Sequence, residues 1–202
     1  MKTGPKYKIA RRLGASIFEK TQTQKFALSE SRKGRRRSGK RPKALSDYGR
    51  QLIEKQKVRY TYLLQEGQFG RYVSEALSAH GKNNAELLYG ILERRLDNAV
   101  FRLGFTHTRG LARQIVSHGH VMVNGRKVTI PSYRLVKGDK ISIRRESRNK
   151  SVFSGLAEKM KSYNPPAWLR LDKEEGEVVG EPKADAGELQ FDLTSVIEYY
   201  SR

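Results

Sequence analysis

The chain has 202 residues and no cysteine, which excludes disulfides, cysteine nucleophiles and cysteine-ligated zinc. Its 41 lysines and arginines against 21 acidic residues give a net charge of +20, so we expect a polyanionic partner, either nucleic acid or an anionic membrane surface. No apolar run approaches the roughly 20 residues of a membrane span, and the N-terminus lacks the apolar core of a secretory signal. We therefore expect a soluble cytoplasmic protein with no membrane partner, and a basic amphipathic transit peptide leading to an organelle is the alternative.

The positive charge belongs to the body of the chain. Residues 172–192 hold eight acidic residues and two lysines, a net charge of −6, so residues 1–171 carry +26. Within the N-terminal part, eight of the thirteen residues 31–43 are basic. Gly34, Gly39 and Pro42 disfavour a long helix there. Residues 1–45 are therefore predicted to form a basic arm that orders against phosphates, with a solvated tail as the alternative.

Two amphipathic helices are predicted within residues 46–91, the first capped by Ser46. A last helix, capped by Thr194, carries apolar residues after a long acidic stretch. We expect this helix to pack against the helices of residues 46–91, so that residues 193–202 complete one helical domain.

Further along the chain, the spacing of apolar residues changes from a helical period to strict alternation. Residues 83–103 are predicted to form one helix ending at Gly104, and Thr108 caps a short second helix. After Gly119 the apolar residues alternate, and Asn124-Gly125 is a strong signal for a hairpin turn. Residues 92–146 therefore predict a helix-turn-helix followed by a small antiparallel sheet, and residues 147–192 an irregular acidic connection. The expected fold class is α+β.

Two long segments resemble a known RNA-binding module. LERRLDNAVFRLGF (92–105) and TRGLARQIVSHGHVMVNGRKVTIPSYRLVKGD (108–139) are similar to the S-four RNA-binding domain. The flanking segments GPKYKIARRLG (4–14), LSDYGRQLIEKQKVRYTY (45–62), QFGRYVSEA (68–76) and VIEYYSR (196–202) resemble the bacterial-type S-four family of small-subunit ribosomal proteins. Many members of that family hold zinc through N-terminal cysteines. This chain resembles the cysteine-free members, for which no metal or other cofactor is expected.

The resemblance implies a structural, non-enzymatic constituent of the small ribosomal subunit. Its RNA partner would be a helix junction in the five-prime domain of the small-subunit ribosomal RNA. There it would nucleate assembly of the subunit body and contribute to translational accuracy. The implied neighbours are other small-subunit proteins and messenger RNA near the point where it enters the subunit. Residues 172–192 are a candidate contact for a basic neighbouring protein.

Cationic side chains are the expected RNA contacts, because lysine and arginine displace the counterions condensed on phosphates. His118 and His120 are added because they flank the predicted turn from helix to strand, where an imidazole can meet a phosphate. Arg109 and Arg113 are four residues apart and are expected to share one outward helix face. The full set of candidates is Lys6, Lys8, Arg11, Arg12, Arg35, Arg36, Arg37, Arg50, Lys55, Lys57, Arg59, Arg109, Arg113, His118, His120, Arg126 and Lys127.

Other interpretations of these residues are open at this stage. The pair His118 and His120 suggests metal, but no cysteine or acidic cluster accompanies it, so no metal site is expected. Asp97 stands in the context Arg-Leu-Asp used by pseudouridine synthases, yet an internal ion pair is the simpler role. A free regulatory RNA-binding protein would explain residues 92–146 but not the matching flanks.

Overall fold

The computed structural model of the chain describes residues 3–36, 44–79, 83–156, 158, 160, 163–172, 174–184 and 189–201. The chain divides into two compact units, residues 1–85 with 185–202, and residues 86–184. In sequence, the second unit is therefore inserted between the two parts of the first. Among the described residues, no helix is both long and apolar enough to cross a membrane.

The first unit is built from helices. The serine hydroxyl of Ser46 accepts a hydrogen bond from Gly49 N at 3.2 Å, which confirms the predicted cap of the third helix. A small apolar cluster of Ala10, Phe18 and Phe26 lies near the N-terminus. The helices are α1 Lys6–Leu13, α2 Gln24–Arg36, α3 Asp47–Thr61, α4 Glu66–Ser78 and α8 Leu193–Tyr200.

Helix α2 extends into the basic run that was predicted to form no long helix. Its backbone continues through Gly34 to Arg36. A glycine costs roughly 1 kcal/mol relative to alanine in a helix interior, and here it does not end the helix. Residues 37–43, with the predicted breakers Gly39 and Pro42, lie outside the described residues.

Helix α8 begins earlier than predicted, at Leu193, because Asp192 caps it and Thr194 does not. Asp192 Oδ1 accepts a hydrogen bond from Thr194 N at 2.9 Å, and a carboxylate also suits the positive end of the helix dipole. The helix packs along α3, where Gln51 Nε2 donates to Glu198 Oε2 at 2.9 Å.

The second unit combines α-helices with one sheet, which confirms the predicted α+β class. Among the described residues, its five strands lie in the order β2-β1-β3-β5-β4, and every neighbouring pair is antiparallel. Its helices include α5 Asn84–Glu93, which begins at the boundary of the unit, α6 Leu96–Arg102 and α7 Arg109–Ser117. The strands are β1 Val121–Val123, β2 Arg126–Lys127, β3 Lys140–Ile143, β4 Leu169–Asp172 and β5 Glu175–Val178.

The prediction of a single helix over residues 83–103 is wrong, because the helix breaks between α5 and α6. Arg95 is extended (φ −69°, ψ 137°) and forms a bridge with Arg134. Leu96 N then donates to Tyr133 O at 2.9 Å, and Asp97 N donates to Pro131 O at 3.1 Å. The loop before β3 thus satisfies N–H groups at the start of α6, which permits the break.

The predicted hairpin is confirmed at Asn124-Gly125. Both residues have positive φ, 50° and 75°, as the turn between β1 and β2 requires. The hydroxyl of Thr108 accepts from Leu111 N at 3.1 Å, so the predicted cap of α7 is also confirmed. Strands β4 and β5 were not predicted, since they lie in the segment expected to be irregular.

The core of the second unit lies between α6, α7 and the sheet, and Leu103 and Ile141 are fully buried in it. Gly176 on β5 contacts this core where no side chain fits. A Cβ atom at this position would overlap the Leu103 side chain, lying 2.6 Å from its Cδ2. Leu103 is enclosed, so it has no room to move aside.

Replacing Gly176 by alanine is expected to lower the free energy of unfolding by about 1–3 kcal/mol, because it overpacks the core. Urea unfolding measures the change. Gly180→Ala is the matched control, since the Cβ would have its nearest neighbour at 3.9 Å, an ordinary contact. Equal effects of the two substitutions would contradict this account.

Candidate nucleic-acid interface

A cationic cluster surrounds the turn between α7 and β1. His118 ends α7, and Gly119 has a φ of 71°. A Cβ at Gly119 would overlap Cε of Lys127 and lie 3.1 Å from its Nζ. The side chain of Lys127 therefore crosses the turn directly over Gly119, which brings strand β2 against the histidine turn. His118, Arg126 and Lys127 are all exposed.

His120 lies at the inner side of this turn. Its Nδ1 is 2.9 Å from the hydroxyl oxygen of Ser147, and its ring meets Phe153 edge to face with centroids 6.1 Å apart. Burial lowers the pKa of His120, and the nearby charges of Lys150, His118, Arg144 and Lys127 lower it further. These positive charges surround the imidazole and repel one another, and a bound anion would reduce that repulsion.

Sequence analysis missed two of these cations, Arg144 and Lys150. Arg144 follows β3 directly, and its N donates to His120 O at 2.9 Å. Lys150 lies between two 3-10 turns, Arg145–Ser147 and Ser151–Phe153. The excess of basic residues from 144 to 150 was the available signal, but it says nothing of proximity to the turn.

Arg109 and Arg113 do share one face of α7, but that face lies against α6, so neither side chain projects freely outward. Arg113 Nε donates to Asp97 Oδ2 at 2.9 Å. Arg109 Nε donates to Asn98 Oδ1 at 2.8 Å. Both arginines are half-buried. The structure thus fixes their guanidinium groups at the surface of α6.

Asp97 forms the predicted internal ion pair, which is confirmed. Arg95 binds its carboxylate through Nε at 3.0 Å and Nη2 at 2.8 Å, and the two side chains are only 3% and 6% exposed. Arg113 binds the same carboxylate from α7. A second buried acid nearby, Glu93, holds Arg102 through two hydrogen bonds of 2.9 and 3.1 Å.

The basic residues of α3 form ion pairs with different acidic residues of the first unit. Arg50 is largely exposed and pairs with Asp47. Lys57 pairs with Glu54 at 2.6 Å, and Arg59 lies 3.5 Å from Glu66. These contacts are internal to the first unit.

Lys55, by contrast, is 6% exposed. Its Nζ binds Glu66 Oε1 at 2.5 Å and lies 4.8 and 5.7 Å from the ring centres of Tyr199 and Tyr200. The ammonium thus connects α3 to the end of α8.

On α1, Lys8 and Arg12 are exposed one turn apart, whereas Lys6 is partly buried and Arg11 binds Glu30 at 2.5 Å. The side chains of Arg35 and Arg36 lie outside the described part of the structure, as does the whole of Arg37. Among the residues that are described, no group of three or more metal-ligating side chains comes together.

Two protein families match the chain. The S4 domain matches residues 94–141, and the ribosomal protein S4/S9 N-terminal domain matches residues 1–98. Curated proteins named small ribosomal subunit protein uS4 are similar over nearly the whole chain. Those of Roseiflexus castenholzii and a Sulfurihydrogenibium species are 45% identical, covering 98% of this chain and 98% and 97% of their own. That of Herpetosiphon aurantiacus is 44% identical, with 99% and 98% covered.

Asp97→Ala is expected to lower the free energy of unfolding by about 3–5 kcal/mol, because it leaves the buried guanidinium of Arg95 without its carboxylate. Chemical unfolding measures this loss. The control is Arg50→Ala, which removes an ion pair whose side chains are 68% and 73% exposed and should cost less than about 1 kcal/mol. A comparable loss in both variants would contradict the assigned role of Asp97.

The stability of the protein should fall as the pH falls below about 6.5, the ordinary pKa of histidine. The pKa of His120 is lower in the folded chain, so the unfolded chain binds more protons between the two values and unfolding is favoured there. His120→Gln should weaken this dependence. Comparing both proteins at pH 8, where the imidazole is neutral, isolates the packing effect. A His120 titration midpoint at or above 6.5 by NMR would contradict the expectation.

Proposed function

The chain belongs to the family of the small ribosomal subunit protein uS4, and we propose that it is a structural, RNA-binding constituent of the small ribosomal subunit. The proposal rests on the similarity to uS4 proteins over nearly the whole chain, which includes both the S4 domain and its flanking segments. The role is not enzymatic. By the same argument, it acts in the ribosome, and we propose the cytoplasm as its compartment.

We propose that the RNA contact of the second unit is centred on the turn at Gly119. The cations that meet there come from three separate parts of the second unit, namely the end of α7, strand β2, and residues 144–150 after β3. A-form RNA is recognised mainly through its shape, phosphates and 2′-hydroxyls, which suits a rigid cluster of cations. The anionic partner would offset the repulsion among these groups.

The other candidate RNA-binding residues fall into groups according to their contacts within the protein. Lys8, Arg12 and Arg50 are exposed and are proposed to bind phosphates directly. The proposed RNA contacts of Arg35, Arg36 and Arg37 rest on the sequence alone. Internal contacts are made by Lys6, Arg11, Lys57 and Arg59. We propose that these residues both stabilise the protein and bind phosphates. Lys55 is proposed to act by holding α8 against α3.

The domain division remains part of the proposal. It comprises an arm of residues 1–45, a helical domain of 46–91 completed by 193–202, the RNA-binding module of 92–146, and a connection of 147–192. The acidic hairpin of β4 and β5 within this connection carries Glu175 and Glu177, and we propose that it meets a basic neighbouring protein.

The resemblance supplies the finer parts of the proposal. The RNA target is a helix junction of the five-prime domain, and the protein nucleates assembly of the subunit body there. It contributes to translational accuracy near the point where messenger RNA enters.

A second candidate function, RNA modification with Asp97 as catalyst, is disfavoured by geometry. The carboxylate of Asp97 is buried and bound by Arg95 and Arg113, so it faces protein groups. A free regulatory RNA-binding protein would not need the matching flanks outside residues 94–141.

The purified chain should bind the five-prime domain of small-subunit ribosomal RNA tightly in the presence of excess transfer RNA. If excess transfer RNA abolished this binding, the attraction would be due to charge alone, which would contradict the proposal. The joint variant Arg126→Ala with Lys127→Ala should bind more weakly, and its dependence of log affinity on log salt should flatten by about one to two.

The control for this variant is Arg170→Ala. Arg170 lies on β4, at the opposite edge of the sheet from β2. Removing its charge should change affinity and salt dependence much less per charge removed. Equal changes would mean that the contact is not centred on the turn at Gly119.

A further inference from the structure

Two imidazoles and an ammonium group meet at the turn between α7 and β1. The His118 and His120 rings lie edge to face with their centroids 6.0 Å apart. Between these residues, Gly119 turns the backbone with a φ of 71°, and the side chain of Lys127 lies directly over it, where a Cβ would be 3.1 Å from Nζ. His118 and Lys127 are exposed, and His120 is half-buried. The three basic groups are therefore held at one place on the surface of the second unit.

The ring of His120 is held by the turn that follows β3. Its Nδ1 lies 2.9 Å from the hydroxyl oxygen of Ser147, which is only 3% exposed, and Ser147 O accepts from Lys150 N at 3.0 Å. A hydroxyl can donate or accept a hydrogen bond, so it remains a partner of Nδ1 whether the imidazole is neutral or charged. His120 can therefore gain a proton without losing this hydrogen bond.

Charged groups surround the two imidazoles from each element packed against the turn. Lys127 is on β2, whereas Arg144 and Lys150 follow β3, and Arg144 is paired with Glu146 at 2.7 Å. Glu146 offsets only one of these cations, so the surroundings carry excess positive charge. Burial lowers the pKa of His120 in the free protein, and the cations lower it further. A bound phosphate would act in the opposite direction, because a nearby negative charge favours the charged imidazole.

We propose that a phosphate of the bound RNA contacts His118 and His120 at this turn, and that their imidazoles take up a proton when it binds. This inference rests on the proposed RNA-binding function and adds to it a proton as a second ligand. The proton comes from solvent and converts the acceptor nitrogen of a neutral imidazole into an N–H donor for a phosphate oxygen. Because the complex holds more protons than the free protein, its formation is favoured as the pH falls.

The test measures the affinity of the full chain for five-prime domain RNA between about pH 8 and about pH 6, at fixed ionic strength because phosphate contacts depend on salt. Affinity should rise about three- to tenfold per pH unit as the pH falls, which corresponds to uptake of about half to one proton. Calorimetry in two buffers of different ionisation enthalpy should count the same protons. In His118→Gln, whose side chain is exposed, both the slope and the proton count should fall.

The matched control is His107→Gln, which replaces an exposed histidine at the opposite end of α7 and should keep the wild-type slope. His120→Gln should lower the slope as well. Thermal unfolding checks that this variant is folded, and His118→Gln carries the test if it is not.

Protons taken up by the RNA itself are the same for every protein, so only the difference between proteins counts. Equal slopes in the wild type and in His118→Gln and His120→Gln would assign the protons to the RNA or to other groups and overturn the inference. A wild-type affinity independent of pH would also overturn it. In either case, tight binding that survives excess transfer RNA would leave the proposed function standing.

Discussion

Asp97 joins three parts of the second unit, namely the break before α6, helix α7 and the loop before β3. It binds Arg95 at the break before α6 and Arg113 on α7, while its backbone N–H is bound by Pro131 in the loop before β3. A buried carboxylate is costly unless it is paired, so the positions of these partners are strongly constrained. The break before α6 and the position of α7 therefore depend on one acidic side chain, and the backbone N–H of the same residue holds the loop before β3.

A similar use of acids recurs in both units. Glu93 fixes Arg102, Glu30 fixes Arg11, and Glu66 fixes Lys55. The acidic residues of this basic chain thus do more than reduce its net charge, because several of them determine which cations are rigid. Rigid cations lose little side-chain entropy when they bind, whereas exposed ones such as Lys8 and Arg12 adapt to their ligand.

Local features could be predicted from the sequence, and features set by distant partners could not. The caps at Ser46 and Thr108 and the turn at Asn124-Gly125 depend on residues within a few positions and were found. The break at Arg95 was missed because its cause lies almost forty residues later, at Arg134. Likewise, their separation of four residues identified Arg109 and Arg113 as neighbours on α7 but could not show that α6 lies against their face. Strand β5 was missed because Gly176 stands where an apolar residue would show the alternation, and β4 was missed because its alternation lasts for only four residues.

The order of the two units along the chain has a consequence for synthesis. All the residues of the second unit, 86–184, are made before α8, whereas the first unit needs α8 to cover α3. During translation the inserted unit can therefore fold as soon as it emerges, while the earlier-made helices wait with one flank uncovered. The part made first is the part completed last.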